Sequence, residues 1–183
     1  MEIVRQLKEL GVAGVSHVNG SFLEHLQGVQ LLLESWGNRE ALCHAGIFHS
    51  IYGSNGFQQS TISVSERERL AGIIGSEAEQ IVYTFCAADR PYFREGLARE
   101  SNPEYRDRLT GEKRRLEPQL LRDFCELLIA DQLDIFAGRN HDESTREDDE
   151  RVRSLLQSLE PNVSEGARAA FREAFRDVIV QAQ

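Results

Sequence analysis

Three residues capable of acid–base or ligand chemistry stand where the hydropathy pattern calls for core side chains. The stretch from Gly20 to Asn55 reads GSFLEHLQGVQLLLESWG, a short break, then NREALCHAGIFHSIYGSN. At about 100° of rotation per residue, Phe22, His25, Val29, Leu32 and Trp36 share one helix face, so an imidazole lies inside an apolar stripe. The second segment repeats this with Leu42, Ala45 and His49 in register. Far downstream, in LEPQLLRDFCELLIADQLDIF, the stripe Leu120, Phe124, Leu127 continues into Asp131. Burying a carboxylate is costly unless it is paired or ligates a metal, and an unpartnered imidazole is also expensive to bury. The economical expectation is that His25, His49 and Asp131 meet.

Two imidazoles and a carboxylate from three helices make a site for a divalent ion. The nitrogen ligands favour a first-row metal, with iron or manganese expected, and three protein ligands leave coordination positions open for water, substrate or dioxygen. The alternative is a structural role in which the three hydrogen-bond one another or buried water.

In order and spacing these residues resemble the HD-domain superfamily, most closely the hydrolase domain of stringent-response alarmone enzymes. The motifs that carry the likeness are FLEH with His25, IFHS with His49, LAGIIGSEAEQIV from Leu70 to Val82, and IADQLD with Asp131. Together they span about residues 15–137. The resemblance implies a helical bundle and a metal-dependent hydrolase. It also implies that His17, eight residues before His25, stands near where that family carries basic residues contacting the nucleotide, which makes it a candidate substrate contact or extra ligand. Two departures stand out. Ser50 occupies the place of the aspartate that follows the second histidine, and Gly53 and Ser54 occupy the places of the family's Glu-Asp acid pair. Alarmone hydrolysis is therefore not expected. Three function classes stay open: a hydrolase acting on a small, anionic substrate, a non-haem iron oxygenase like the HD-type oxygenases, and a binding or regulatory protein that has lost its chemistry.

Several further residues are candidates for the site. After His49 and Ser50 the chain runs YGSNGFQQSTISVS, a loop placed to form a site wall. Within it Tyr52 offers a phenol that could donate to substrate, and Asn55 an amide. His44, five residues before His49, points about 140° away from it around a helix and is read as a surface or supporting residue. Asp89 is the second choice for the carboxylate ligand. Between Arg90 and Arg122 the chain is rich in arginine, and most of these positions read as solvated because acidic neighbours accompany them. Arg90 is singled out as a donor to a phosphate or carboxylate substrate, since a guanidinium fork matches those groups.

The elements that must position these residues follow from the same periodicity. Residues 2–10 read as a short amphipathic helix with Ile3, Leu7 and Leu10 inward, ended by Gly11. Ser65 with Glu68 reads as a capping box opening a helix that Gly75 ends, and Ser76 with Glu79 as a second box for a helix through Cys86. A long helix runs from about Pro118 to Phe136 and closes at Gly138. An acidic linker over 138–150, including His141, precedes two tail helices. One has the apolar face Val152, Leu155, Leu156 and Leu159; the other has Ala167, Ala170, Phe171, Ala174, Phe175 and Val178. This tail either closes over the site or forms a homodimer.

The fold class expected is thus all-α: one HD-like bundle domain over residues 1–183 with two additional C-terminal helices. A chain of 183 residues can bury a substantial core without staples. Its formal charge of −9 argues against nucleic-acid binding through the phosphate backbone. Cys43, Cys86 and Cys125 are an odd, widely spaced set among apolar residues, which suits reduced thiols in the cytoplasm. No run of 18 apolar residues or signal segment is read, so no membrane partner is expected.

Overall fold

A computed structural model of the chain describes residues 2–12, 16–17, 20–138 and 145–176. It is all-α apart from two short hairpins. The first two helices of the site are α2 (Phe22–Ser35) and α3 (Glu40–Phe48), after α1 (Glu2–Glu9) and a hairpin of β1 (Ser16–His17) and β2 (Gly20–Ser21). A capping box opens α2: Glu24 N–H donates to Ser21 Oγ at 3.1 Å, and Ser21 N–H donates back to Glu24 Oε2 at 2.9 Å. Gly37, at φ +74°, then turns the chain toward α3.

Then come α4 (Arg67–Ile74), α5 (Ser76–Ala87) and α6 (Arg90–Leu97), a hairpin of β3 (Tyr105–Arg106) and β4 (Lys113–Arg114), and the long α7 (Pro118–Ala137). Pro118 suits the first helical position, and α7 ends at Gly138, as the sequence predicts. α7 is the central element: it packs against α2, α3 and α5 on one side and the tail helices on the other. Its Phe124 is met edge-on by Phe85 of α5, Phe93 of α6 and Tyr105 of β3, with ring centroids 6.3, 5.0 and 6.2 Å away.

Three sequence expectations are corrected. The capping box before α4 is Ser63 with Glu66, not Ser65 with Glu68, and it opens a 3-10 turn over Val64–Glu66. Ser76 caps nothing; Gly75, at φ +88°, is the boundary and Ser76 is already helical. The expected acidic linker is partly helix, because α8 (Arg146–Leu159) begins inside it with Glu147, Asp148 and Asp149 in its first turn, where carboxylates suit the helix dipole. His141 lies outside the described residues, as does Val178 of the predicted tail face.

The tail packs on its own chain. Ser164 caps α9 (Glu165–Ala174), and both its N–H and Oγ donate to the buried Glu126 of α7, at 2.9 and 2.6 Å. Phe175 stacks on Phe136 with centroids 4.3 Å apart. At Gly166 a Cβ would lie 2.8 Å from that of Trp36, so the absence of a side chain lets the start of α9 sit against the end of α2. No helix among the described residues is long and apolar enough to cross a membrane.

Candidate metal centre

α2 supplies His25, the residue closing α3 is His49, and α7 supplies Asp131. All three side chains are buried, His49 completely. The three residues chosen from the sequence come together. His25 Nε2 and His49 Nε2 lie 3.2 Å apart, and each is 3.3 Å from Asp131 Oδ1. These atoms form a nearly equilateral triangle, whose centre lies one edge over √3, about 1.9 Å, from each corner. First-row ions bind imidazole nitrogen at about 2.0–2.1 Å, so the spacing of these three atoms suits such an ion, which His25, His49 and Asp131 would hold.

The outer atoms of the ligands are tied down. His25 Nδ1 donates to Asp134 Oδ2 at 2.7 Å, and His49 Nδ1 donates to the Gly46 carbonyl at 2.7 Å. With both Nδ1 atoms protonated, both Nε2 atoms are left to present lone pairs toward the carboxylate oxygen. Three electron-rich atoms at this separation repel unless a cation lies among them. In the metal-free chain a proton fills that role. Burial acts to lower the His25 pKa, but hydrogen bonds and charge from Asp131 and Asp134 outweigh it and push the imidazole up to about 9. Burial lowers His49, helped by the neighbouring His25 charge. Burial would raise Asp131, yet hydrogen bonds from both histidines and the charge of Arg90 hold it well below the usual carboxylate range. The donor set therefore suits a divalent ion in place of one proton.

Sequence reasoning missed two parts of this centre. Asp134 is three residues after Asp131, on the same face of α7. Its carboxylate occupies the space over Gly28 of α2, where a Cβ would come within 1.9 Å of Asp134 Oδ1. Gln132 donates to the outer oxygen of Asp131, Oδ2, at 3.0 Å. A D-x-x-D spacing and a glycine three residues after His25 were the available signals.

The remaining candidates are dispersed. Arg90 reaches Asp131 Oδ2 with Nη1 at 3.5 Å and lies over the Phe85 ring at 4.3 Å, while Phe85 meets His49 edge-on at 5.1 Å. Ser50 is buried beside His49. Asn55 is directed elsewhere: its Oδ1 accepts the Arg90 backbone N–H at 3.1 Å and so anchors the start of α6. Tyr52 is also committed, since its hydroxyl donates to Glu79 Oε1 at 3.1 Å and Glu79 is held bidentately by Arg67. Burial and the Glu79 charge push its ionisation far up, which disfavours a role in proton transfer. His17 pairs through its backbone with Gly20, and its side chain lies outside the described residues. Asp89 caps α6 and holds Arg106, with Nε at 2.9 Å, so it serves structure. His44 lies near Glu40, away from the centre.

The sequence model of one family, described as Domain of unknown function (DUF6817), matches residues 6–90. That match takes in His25 and His49 and ends before the helix that carries Asp131. No curated protein and no solved structure matches the chain.

Proposed function

We propose that the chain is a metal-dependent enzyme of the HD type, holding iron or manganese on His25, His49 and Asp131 and acting on a small substrate, by hydrolysis as the default reaction. The observation that carries this reading is the buried convergence of two Nε2 lone pairs and Oδ1 on one point, each ligand braced from behind. A bound divalent ion supplies Lewis acidity and lowers the pKa of a water toward neutrality. The chain's own residues do the positioning. Asp134 and the Gly46 carbonyl fix the histidine tautomers, and Gln132 and Arg90 hold the second oxygen of Asp131, leaving Oδ1 for the ion. The motif resemblance supports the same reading, while Gly53 and Ser54 argue against alarmones as substrate. Three buried free thiols support a cytoplasmic setting.

Elemental analysis of the purified full-length protein tests this. One iron or manganese per chain is expected, and Asp131→Asn should lose it while Asp89→Asn keeps it. Asparagine preserves volume but removes the charge that balances the cation. Metal-free protein that takes up no divalent ion on titration would leave a binding or regulatory role in place of an enzyme. The iron oxygenase is the second reading, favoured by the two-histidine, one-carboxylate set with Ser50 where a fourth ligand would stand. Oxygen consumption on adding ferrous ion and substrate would decide for it.

A further inference from the structure

Three helices, α6, α7 and α8, line a half-open cavity of about 540 Å³. Its wall is mostly apolar, built from Phe93 of α6, Leu128 of α7 and Leu155 of α8, with Arg90, Arg94, Glu95 and Gln132 as polar members. The size suits a small molecule, and an apolar body with a few convergent polar groups is the usual composition of such sites. Two of the wall residues join it to the candidate metal centre. Gln132 Nε2 and Arg90 Nη1 both donate to Asp131 Oδ2, at 3.0 and 3.5 Å.

Among the described residues the Arg90 guanidinium makes only that one long hydrogen bond. Its Nε and Nη2 are closed to solvent and have no hydrogen-bond partner among the described residues. Those two nitrogens form one edge of the guanidinium, the edge whose parallel N–H bonds match the two oxygens of a carboxylate or phosphate. The group lies over the Phe85 ring, 4.3 Å from its centroid. A buried donor pair left unmade is unfavourable, and an anion at this edge removes the deficit.

We propose that this cavity binds a small amphiphilic organic anion, its carboxylate or phosphate head on the Arg90 guanidinium and its apolar body against Phe93, Leu128 and Leu155. Both nitrogens are shut off from solvent, so the Arg90 side chain turns toward the cavity it lines to present them. At the wall Arg94 assists the anion and Glu95 opposes it, as does Asp131 behind Arg90. A cation among His25, His49 and Asp131 shifts that balance in the anion's favour. The proposal names a substrate class for the metal-dependent reading and rests on it only for which end of the ligand reacts; binding in the cavity does not require the ion.

The test is calorimetric titration of the full chain, metal-free and manganese-loaded, with octanoate, octyl phosphate and octanol. Saturable one-to-one binding is expected, with at least one of the two anions bound tenfold or more tighter than the alcohol. The ratio of octanoate to octyl phosphate identifies the preferred head group. Arg90→Gln should erase the preference for an anion, and Arg90→Lys should keep a weakened one, because charge survives but the fork does not. Leu155→Trp, which fills the cavity, should weaken all three ligands tenfold or more while leaving manganese affinity unchanged. No saturable binding by wild type, equal affinity for acid and alcohol, or an undiminished preference in folded Arg90→Gln would each overturn the proposal. Octanoate binding by a chain that takes up no manganese would overturn the metal reading alone; manganese uptake with no ligand binding would overturn this proposal alone.

Discussion

His25 can ligate an ion through Nε2 only after losing a proton, and its surroundings decide how tightly that proton is held. Asp131 and Asp134 outweigh burial and raise the imidazole to about 9, whereas His49 is already neutral at physiological pH because burial lowers it. At pH 7.5 each bound ion should therefore displace about one proton, all of it from His25. Calorimetry in two buffers of different ionisation enthalpy measures the number directly, and a value near zero would mean that His25 is not a ligand. Gly28 provides a second test at this scale. Replacing a helix-interior glycine with alanine ordinarily stabilises by about 1 kcal/mol. Here the new Cβ would fall 1.9 Å from Asp134 Oδ1 and drive the carboxylate off His25. Gly28→Ala should fold yet bind metal about 10- to 100-fold more weakly, the range seen when such an outer partner is lost. Wild-type affinity in this variant would show that Asp134 does not brace the site.

α7 shows how far the sequence could be read at the level of elements, and where it stopped. Its apolar run fixed its length, and Asp131 drew notice because a carboxylate interrupted a stripe that included Phe124 and Leu127. His25 and His49 were legible on the same ground. Asp134 was not, because it sits at the partly exposed edge of the helix and looks like an ordinary surface carboxylate until Gly28 of another helix is placed beneath it. Tyr52 and Asn55 show a related limit: a loop's position in sequence does not tell whether its polar groups are already engaged, as these are by Glu79 and Arg90. The two overlapping S-x-x-E boxes at Ser63 and Ser65 are locally equivalent, and only the 3-10 turn before α4 chooses between them. The tail's docking was equally hidden, since Glu126 is one more carboxylate on α7. It accepts from Asn38 Nδ2, at 3.0 Å, and from the N–H and Oγ of Ser164. Glu126→Ala should strand those half-buried donors and destabilise the fold by about 1–3 kcal/mol. A lower urea midpoint with unchanged metal affinity is the expected pair of results; an unchanged midpoint would mean that another contact anchors α9.

For the molecule as a whole, the three ligands lie at positions 25, 49 and 131, so an unfolded chain does not present them together. Binding is then linked to folding, and an ion at a hundred times its dissociation constant adds about 2.7 kcal/mol. In a chain of this size that raises the melting temperature by about 5–10 °C. The size of the increment depends on pH with a definite sign. In the metal-free protein the His25 pKa is raised from 6.5 to about 9, so its contribution to stability is complete below pH 6.5 and is lost as the pH rises through 9. Asp131 acts oppositely: its depressed pKa stabilises above the ordinary carboxylate range, and that contribution disappears as the pH falls through the lowered value. An ion that replaces the His25 proton competes with it, so metal stabilisation must grow over the interval in which the metal-free fold is weakening. Melting curves at fixed free manganese and in chelator, taken from pH 6 to 9.5, should therefore diverge steadily up to about pH 9 and run parallel beyond it. A constant gap across that window would show that the ion does not exchange with the His25 proton, and the triangle of His25, His49 and Asp131 would be a hydrogen-bonded core cluster instead of a ligand set.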